Sequence, residues 1–127
     1  MATIVHFEIP AEDTDRARKF YESLFGWKME KMKPTGGACG DYWYFTTKDD
    51  KGKESVCGGI MKKQCEGHGP TNYISVPSVD KAVKKVEELG GKRIFGKTAV
   101  PGHGYFICCQ DTEGNPFALW ETDEDAK

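Results

Sequence analysis

The 127-residue chain contains an internal repeat, and this repeat limits the folds that the sequence can adopt. Four segments of the first half recur in the same order in the second half: HFEIP (6–10) as YISVP (73–77), DRARKFYESLFG (15–26) as DKAVKKVEELGG (80–91), YWYFTT (42–47) as YFICCQ (105–110), and GGIM (58–61) as FALW (117–120). Each half is therefore predicted to form a strand, a helix and then two or three strands.

Hydrophobic periodicity supports this order of elements. In IVHFEIP the side chains of Val5, Phe7 and Ile9 alternate with a second face that carries His6 and Glu8. Apolar residues of segment 15–26 recur with helical spacing, as do those of segment 80–91. The predicted helix caps and stops are Asp13 or Thr14 with Gly26 for the first helix, and Ser78 with Gly90 for the second. Both helices are amphipathic, so each is expected to cover one face of a sheet.

Residues 1–63 are predicted to form a first module, 64–70 a linker, 71–122 a second module and 123–127 a frayed acidic tail.

Composition and charge restrict the partners and the compartment expected for this protein. The net charge is −2 and there is no basic stripe with interleaved aromatic residues, so we expect no nucleic-acid partner. We find no signal peptide and no run of about 20 apolar residues, so no membrane partner is expected. Five cysteines, an odd number, fit reduced thiols in the cytoplasm.

The chain resembles the vicinal oxygen chelate superfamily, which includes glyoxalase I, extradiol dioxygenases and bleomycin-resistance proteins. The resemblance covers nearly the whole chain and rests on three segments: HFEIP followed by DRARKFYESLFGW, YISVPSVDKAVKKVEELGG, and GYFICCQDTEGNPFALWE. It implies an α+β fold of two tandem βαβββ modules, with a half-open curled sheet around a cavity and the helices outside. It also implies a homodimer. It leaves the activity open, because this fold hosts lyases, oxygenases, epimerases and binding proteins.

By the same resemblance, metal enzymes of the superfamily have four ligand positions. In this sequence these positions map to His6, Gly59, Tyr73 and Ala118. Divalent metal centres use His, Asp, Glu or Cys side chains, and a tyrosine would have to ionise from a pKa of about 10. Only His6 is a usual ligand, so we expect no metal and no other cofactor.

A metal-dependent lyase or dioxygenase remains the alternative hypothesis. Glu8 shares the face of His6, and a bulge in the last strand could turn Glu121 inward to complete a site. Without a bulge, regular alternation points Glu121 away from the cavity.

Other reactive side chains are assigned ordinary roles. Cys65 and His68 form a lone C-x-x-H pair, which favours a surface loop. Cys108 and Cys109 are expected to be small buried hydrophobic residues, although a nucleophilic pairing with a histidine stays open. His103 lies between glycines in a turn and is a weak secondary candidate for ligand contact. Tyr42, Tyr44, Trp43 and the other aromatic residues of the sheet are assigned mostly to core packing.

The leading hypothesis is a protein that binds a small, partly aromatic or amphiphilic molecule in a cavity without metal. The expected polar contacts are His6, Glu8, Tyr73 and Ser75, with Met61 and Trp120 as apolar walls. Gly59 and Ala118 would leave room for the ligand.

The same site could also support a reaction. If one occurs, it is expected to be a metal-free isomerisation or lyase step in which His6 carries a proton and Tyr73 binds the substrate oxygen. A third hypothesis is a protein that sequesters a drug or metabolite without turnover.

Overall fold

A computed structural model describes residues 2–32, 42–63 and 69–127. The described residues form two helices and nine strands: β1 (Thr3–Ala11), α1 (Thr14–Phe25), β2 (Met29–Met32), β3 (Tyr42–Lys48), β4 (Glu54–Lys62), β5 (Thr71–Ser75), α2 (Val79–Glu88), β6 (Lys92–Arg93), β7 (Thr98–Val100), β8 (Gly104–Gln110) and β9 (Pro116–Thr122). They fall into two compact units. The N-terminal unit is His6–Pro70, and the C-terminal unit is Thr71–Lys127 together with the chain that precedes His6.

The sheet of the N-terminal unit has the strand order β2-β3-β4-β1. The first and last strands of the module lie side by side and parallel, with His6 opposite Cys57 and Glu8 opposite Gly59. The β2–β3 and β3–β4 pairs are antiparallel. A parallel pair needs a long connection between its strands, and α1 with β2 and β3 provides it.

Aromatic rings form the core on the α1 side of this sheet. Trp27, just after α1, stacks on Phe45 at 4.8 Å between ring centroids, and Phe7 meets Phe45 edge to face at 5.6 Å. Gly58 of β4 lies beneath these rings, and an added Cβ would come within 2.8 Å of Phe7 and 2.7 Å of Phe45. The glycine at this position therefore lets two phenylalanine rings reach the sheet.

Helix α1 begins and ends where the sequence predicts, but it covers less of the sheet than expected. Asp13 caps its start by accepting a hydrogen bond from the Arg16 N–H, and Gly26 ends it with φ of 72°. However, Phe20, Leu24 and Phe25 remain 59%, 57% and 55% exposed. Trp27 takes the place on the sheet that a helical side chain would otherwise fill.

The C-terminal unit repeats the arrangement with one change. Its strand order is β5-β9-β8-β6, with β7 also paired to β8, and β5 runs parallel to β9. Two short strands, β6 and β7, thus occupy the place that β2 has in the first module. Helix α2 packs on the sheet over one buried cluster: Val79, Val83, Ile107, Cys109 and Leu119.

The acidic end of the chain does not fray as expected. Ala126 is buried and its carbonyl accepts a hydrogen bond from the Gly102 N–H at 2.9 Å. The Asp123 N–H donates to the His103 carbonyl at 2.9 Å. Backbone hydrogen bonds to the turn before β8 therefore hold this segment in spite of its charge.

The predicted α+β class and the two βαβββ modules are confirmed. Neither helix in the described ranges has the length and apolar character needed to cross a lipid bilayer.

We expect Gly104→Ala to destabilise the protein by about 1–3 kcal/mol, because an added methyl would press on the backbone carbonyl of Glu121. Gly96→Ala is the matched control, since an added Cβ there meets nothing within 4 Å. The free energy of unfolding from urea titration measures both. Equal losses in the two variants would contradict the packing assigned to β8 and β9.

Candidate functional site

The face of the N-terminal sheet opposite α1 carries a continuous set of polar and aromatic side chains. Residues paired directly across neighbouring strands share a face. The strand registers therefore place three rows on this face: His6, Cys57 and Thr46; Glu8, Gly59, Tyr44 and Glu30; and Met61, Tyr42 and Met32. Three of the predicted site residues of the first module, His6, Glu8 and Gly59, are adjacent here, and Met61 lies one pleat further along.

Tyr42 joins two of these residues through its hydroxyl group. Its oxygen lies 2.9 Å from His6 Nε2 and 2.8 Å from Glu8 Oε2. On the other side of the imidazole, His6 Nδ1 lies 3.4 Å from Cys57 Sγ. The Tyr44 ring is nearly parallel to the imidazole, 6.2 Å away between centroids. Four side chains from three strands thus form one hydrogen-bonded chain.

The four side chains donate their hydrogen bonds in one direction, which the chemistry of the Glu8 carboxylate determines. An ionised carboxylate only accepts hydrogen bonds, so the Tyr42 O–H donates to Glu8. The Tyr42 oxygen then accepts from the His6 Nε2–H, and His6 Nδ1 is left to accept from the Cys57 thiol. This requires a neutral imidazole. Burial lowers the pKa of His6 from 6.5 to about 4, which agrees with that state at neutral pH.

The two tyrosines of this face are also held in their neutral forms. Burial raises the pKa of Tyr42, and the nearby Glu8 carboxylate raises it further. Burial, with a hydrogen bond to Cys57, raises the pKa of Tyr44 to about 12. At neutral pH both phenols are therefore protonated and can donate hydrogen bonds.

Gly59 has a different role from the one expected. The sequence predicts that the space above this residue is left for a ligand. The structure fills that space with the Tyr42 phenol, whose hydroxyl oxygen an added Cβ would strike first. The missing side chain thus admits a tyrosine of the same chain, and through it the contact between His6 and Glu8.

The predicted site residues of the second module lie together in the C-terminal unit. Tyr73 pairs with Ala118 and Ser75 with Trp120 across the β5–β9 ladder, so all four share the face opposite α2. Tyr73 is buried and meets Phe106 edge to face at 5.9 Å. The Trp120 Nε1–H donates to Thr122 Oγ1 at 3.0 Å. Ser75 lines an open cavity of about 330 Å³ at the ends of β5 and β9.

The residues present do not fit the metal centre of the superfamily. Gly59 has no donor and Tyr42 fills its place, while Ala118 is a buried methyl group. The alternative with Glu121 also lacks its geometric basis. The β8–β9 register runs without a bulge, and Glu121 accepts a hydrogen bond from the Val79 N–H at the start of α2, 2.9 Å away. Within the described ranges, no three His, Cys, Asp or Glu side chains are arranged to hold a metal ion.

Cys109 and His103, two other reactive side chains, occupy ordinary buried and exposed positions. Cys109 is buried beneath α2 as expected, and burial raises its pKa, whereas Cys108 is only half-buried. His103 is exposed in the turn before β8. Cys65 and His68 lie outside the described residues.

Sequence reasoning missed Tyr42, Tyr44 and Cys57 as members of this face. Tyr42 and Tyr44 were assigned to core packing, and Cys57 received no role. The available signal was the glycine at position 59 beside an aromatic strand, because a glycine in a strand marks a close approach by another group. Without the β3–β4 register this signal does not identify the tyrosine.

Comparison with known proteins identifies the family of the chain. The family model described as Glyoxalase/Bleomycin resistance protein/Dioxygenase superfamily matches residues 3–119. A glyoxylase-like domain-containing protein of Didymella fabae is 32% identical over 117 residues, which span 88% of each chain. CFP32 of Mycobacterium bovis is 28% identical over 116 residues, which span 90% of this chain and 43% of that protein.

Solved structures show the same fold at low sequence identity. A methylmalonyl-CoA epimerase in complex with methylmalonyl-CoA superposes with a TM-score of 0.71 at 14% identity, covering 100% of this chain and 99% of that one. The protein BH1468 of Bacillus halodurans superposes with a TM-score of 0.70 at 15% identity, covering 99% and 98%. The chain belongs to the Glyoxalase/Bleomycin resistance protein/Dioxygenase superfamily, as its sequence motifs predicted.

The lowered pKa of His6 predicts a specific loss of stability in acid. Because the pKa in the folded state lies below the ordinary value, the unfolded chain takes up the proton first as the pH falls. The protonation of His6 leaves the free energy of unfolding unchanged above pH 6.5. As the pH falls from 6.5 towards about 4, it lowers that free energy by up to about 3 kcal/mol. Urea unfolding of wild type and His6→Gln at pH 7, 5.5 and 4.5 measures it.

The His6→Gln variant is expected to lose stability less steeply than wild type over this range. His103→Gln is the control, because His103 is exposed and its removal is expected to leave the slope unchanged. A His6→Gln variant with the wild-type slope would contradict the neutral, buried imidazole.

Metal analysis provides a second prediction. Protein purified without an affinity tag is expected to contain well below one zinc, nickel, iron or manganese ion per chain. Dialysis against EDTA is expected to leave the melting temperature unchanged, because the side chains at Gly59 and Ala118 supply no metal donor. One tightly bound ion per chain that disappears in His6→Ala would establish the metal-dependent alternative instead.

Proposed function

We propose that this protein binds a small, partly aromatic or amphiphilic molecule on the sheet face that carries His6, Glu8 and Tyr42, and that it does so without a metal ion. The observation that carries the proposal is the hydrogen-bonded chain from Cys57 through His6 and Tyr42 to Glu8. Its polar groups lie among the Tyr44 ring and the thioethers of Met61 and Met32. A few ordered polar groups within an apolar, polarisable surface are typical of small-molecule sites.

Protonation supports binding over proton transfer. A histidine whose pKa is about 4 is a weak base at neutral pH, and a tyrosine whose pKa is raised stays protonated. This argues against His6 as the proton carrier, the role that the sequence predicts for it if a reaction occurs. We propose instead that His6 holds the Tyr42 hydroxyl in place and that the ligand contacts Tyr42 and Glu8. These pKa directions favour a protein that sequesters its ligand without turnover.

The second module offers a separate set of contacts. We propose that Tyr73 and Ser75 supply hydrogen bonds and that Trp120 supplies an apolar wall on their own sheet face. Ala118 has only a methyl side chain and therefore leaves space on that face between them. Support comes from their shared face and from the open cavity beside Ser75. The solved epimerase structure is a complex with methylmalonyl-CoA, which is consistent with a small organic ligand for this fold.

A reducing compartment fits the cysteine chemistry. The chain has five cysteines, an odd number that cannot all pair within one chain. We propose a cytoplasmic location on this ground, because thiols persist where the redox environment is reducing.

A thermal-shift screen tests the proposed ligand face. A panel of small aromatic and amphiphilic compounds is expected to contain at least one that stabilises the wild-type protein, by ~2.7 kcal/mol at a hundredfold excess over Kd. Tyr42→Phe and Glu8→Gln are expected to weaken binding of that compound at least tenfold, because the first removes a hydroxyl group and the second removes a negative charge. Tyr21→Phe is the control, since Tyr21 lies on α1 and stacks on Trp27.

Mass spectrometry of the recovered compound separates binding from turnover. Unchanged compound after prolonged incubation is the expected result, whereas a chemically altered product would replace sequestration by catalysis. A panel in which no compound stabilises the protein, or one whose stabilisation persists in Tyr42→Phe and Glu8→Gln, would refute the proposed face.

A further inference from the structure

Negative charge lies on the sheet face that carries His6 and Tyr42. Glu8, Tyr44 and Glu30 belong to one row of that face, with Glu8 on β1 and Glu30 on β2 at its two ends. The imidazole of His6 is neutral at neutral pH, because burial lowers its pKa to about 4. The three rows of described residues on this face contain no lysine and no arginine, so their formal charge is negative.

The other side of the same sheet carries basic side chains. The Arg18 guanidinium of α1 lies 4.6 Å from the centre of the Trp43 ring, and the Lys31 ammonium lies 5.9 Å from it. At the end of β4, Lys62 Nζ donates a hydrogen bond to the Glu12 carbonyl. The alternation of side chains along β2, β3 and β4 thus separates these positive charges from the negative row.

The two tyrosines of the site face respond to the negative charge. Burial is the main cause of the raised pKa of Tyr42, and the Glu8 carboxylate raises it further. Burial is also the largest cause for Tyr44, whose pKa the Glu54 and Glu30 carboxylates raise further. Carboxylates that oppose a negative phenolate attract a positive charge at the same place. The surroundings of the Tyr44 ring therefore favour a cation and disfavour an anion.

We propose that the ligand of this face is an organic cation, in which an ammonium group is joined to a small aromatic or alkyl body. The ammonium group contacts the Tyr44 ring and is attracted by Glu30, which lies opposite Tyr44 on the neighbouring strand. The body lies one pleat away, about 7 Å, against the thioethers of Met61 and Met32. This inference rests on the proposed function, because it names the chemical class of the ligand for the same face.

The spacing of the carboxylates favours an organic cation over a metal ion. Glu8 and Glu30 lie on the outer two of four neighbouring strands, which places them three strand spacings apart, about 14 Å. A metal ion binds its oxygen ligands at about 2–3 Å, so one ion cannot contact both carboxylates. An ammonium group on an extended body is attracted by both carboxylates without coordinating either of them.

Three probes with one body and different head groups test the charge of the ligand. They are 2-phenylethylamine, which is a cation at pH 7, neutral 2-phenylethanol and anionic 3-phenylpropionate. Titration of the full chain, followed by protein NMR chemical shifts, measures each Kd. We expect the amine to bind at least fivefold more tightly than the alcohol and the propionate to bind most weakly. Added salt is expected to weaken binding of the amine but not of the alcohol.

Variants of the face test which groups attract the cation. Glu30→Gln is expected to weaken amine binding about threefold and to leave alcohol binding unchanged, because it removes an exposed charge. Tyr44→Leu is expected to weaken amine binding about threefold, whereas Tyr44→Phe keeps the ring and most of the affinity. Glu88→Gln is the matched control, because Glu88 is an exposed carboxylate of α2 in the other unit. Circular dichroism shows whether each variant is folded.

The outcomes separate the charge of the ligand from the location of its site. Equal binding of the amine and the alcohol, with both lost in Tyr42→Phe, would overturn the cationic ligand and leave the proposed face intact. Tighter binding of the propionate, or amine binding that Glu30→Gln and Tyr44→Leu do not change, would also overturn it. Absence of binding by all three probes at millimolar concentration would refute this ligand class, and the thermal-shift panel would then decide the proposed face separately.

Discussion

A missing side chain at Gly59 determines the chemistry of the N-terminal sheet. Because nothing projects from that pleat, the phenol of Tyr42 crosses from β3 and its oxygen lies within 3 Å of both His6 Nε2 and Glu8 Oε2. His6 and Glu8 are two residues apart on one strand, and the hydroxyl between them satisfies both. The tautomer of His6 and the hydrogen bond from Cys57 then follow from the direction in which Tyr42 donates.

Hydrogen-bond satisfaction explains how these polar side chains can be partly buried at low cost. A buried polar group without a partner costs about 1–3 kcal/mol, and a buried charge costs more. Here the imidazole and the phenol are neutral and paired, and Glu8 accepts the Tyr42 hydrogen bond. The exposed apolar residues of α1 on the opposite side of the sheet are the reverse case, because they leave apolar surface in water. One face of the unit thus accommodates polar atoms, and the other still has apolar surface to bury.

The sequence predicts the fold well because each of its signals is local or repeated. The two modules follow from the repeat, and Asp13, Gly26 and Ser78 mark helix ends through hydrogen bonds within a few residues. The site depends on distant pairings that no local pattern contains. Tyr42 acquires its role only because β3 pairs with β4 in the register that sets it opposite Met61. Likewise, the hydrogen bonds that hold Ala126 to Gly102 override the charge pattern that predicted fraying.

The parallel pairing of β1 with β4 also has a kinetic consequence. Cys57 follows His6 by 51 positions in the chain, whereas α1 and the β2–β3 pair involve much closer neighbours. Closing that long loop costs conformational entropy before the β1–β4 hydrogen bonds form and offset the cost. During synthesis, β1 therefore has no partner strand within the first module until β4 has left the ribosome. The β1–β4 pairing completes the sheet of this unit.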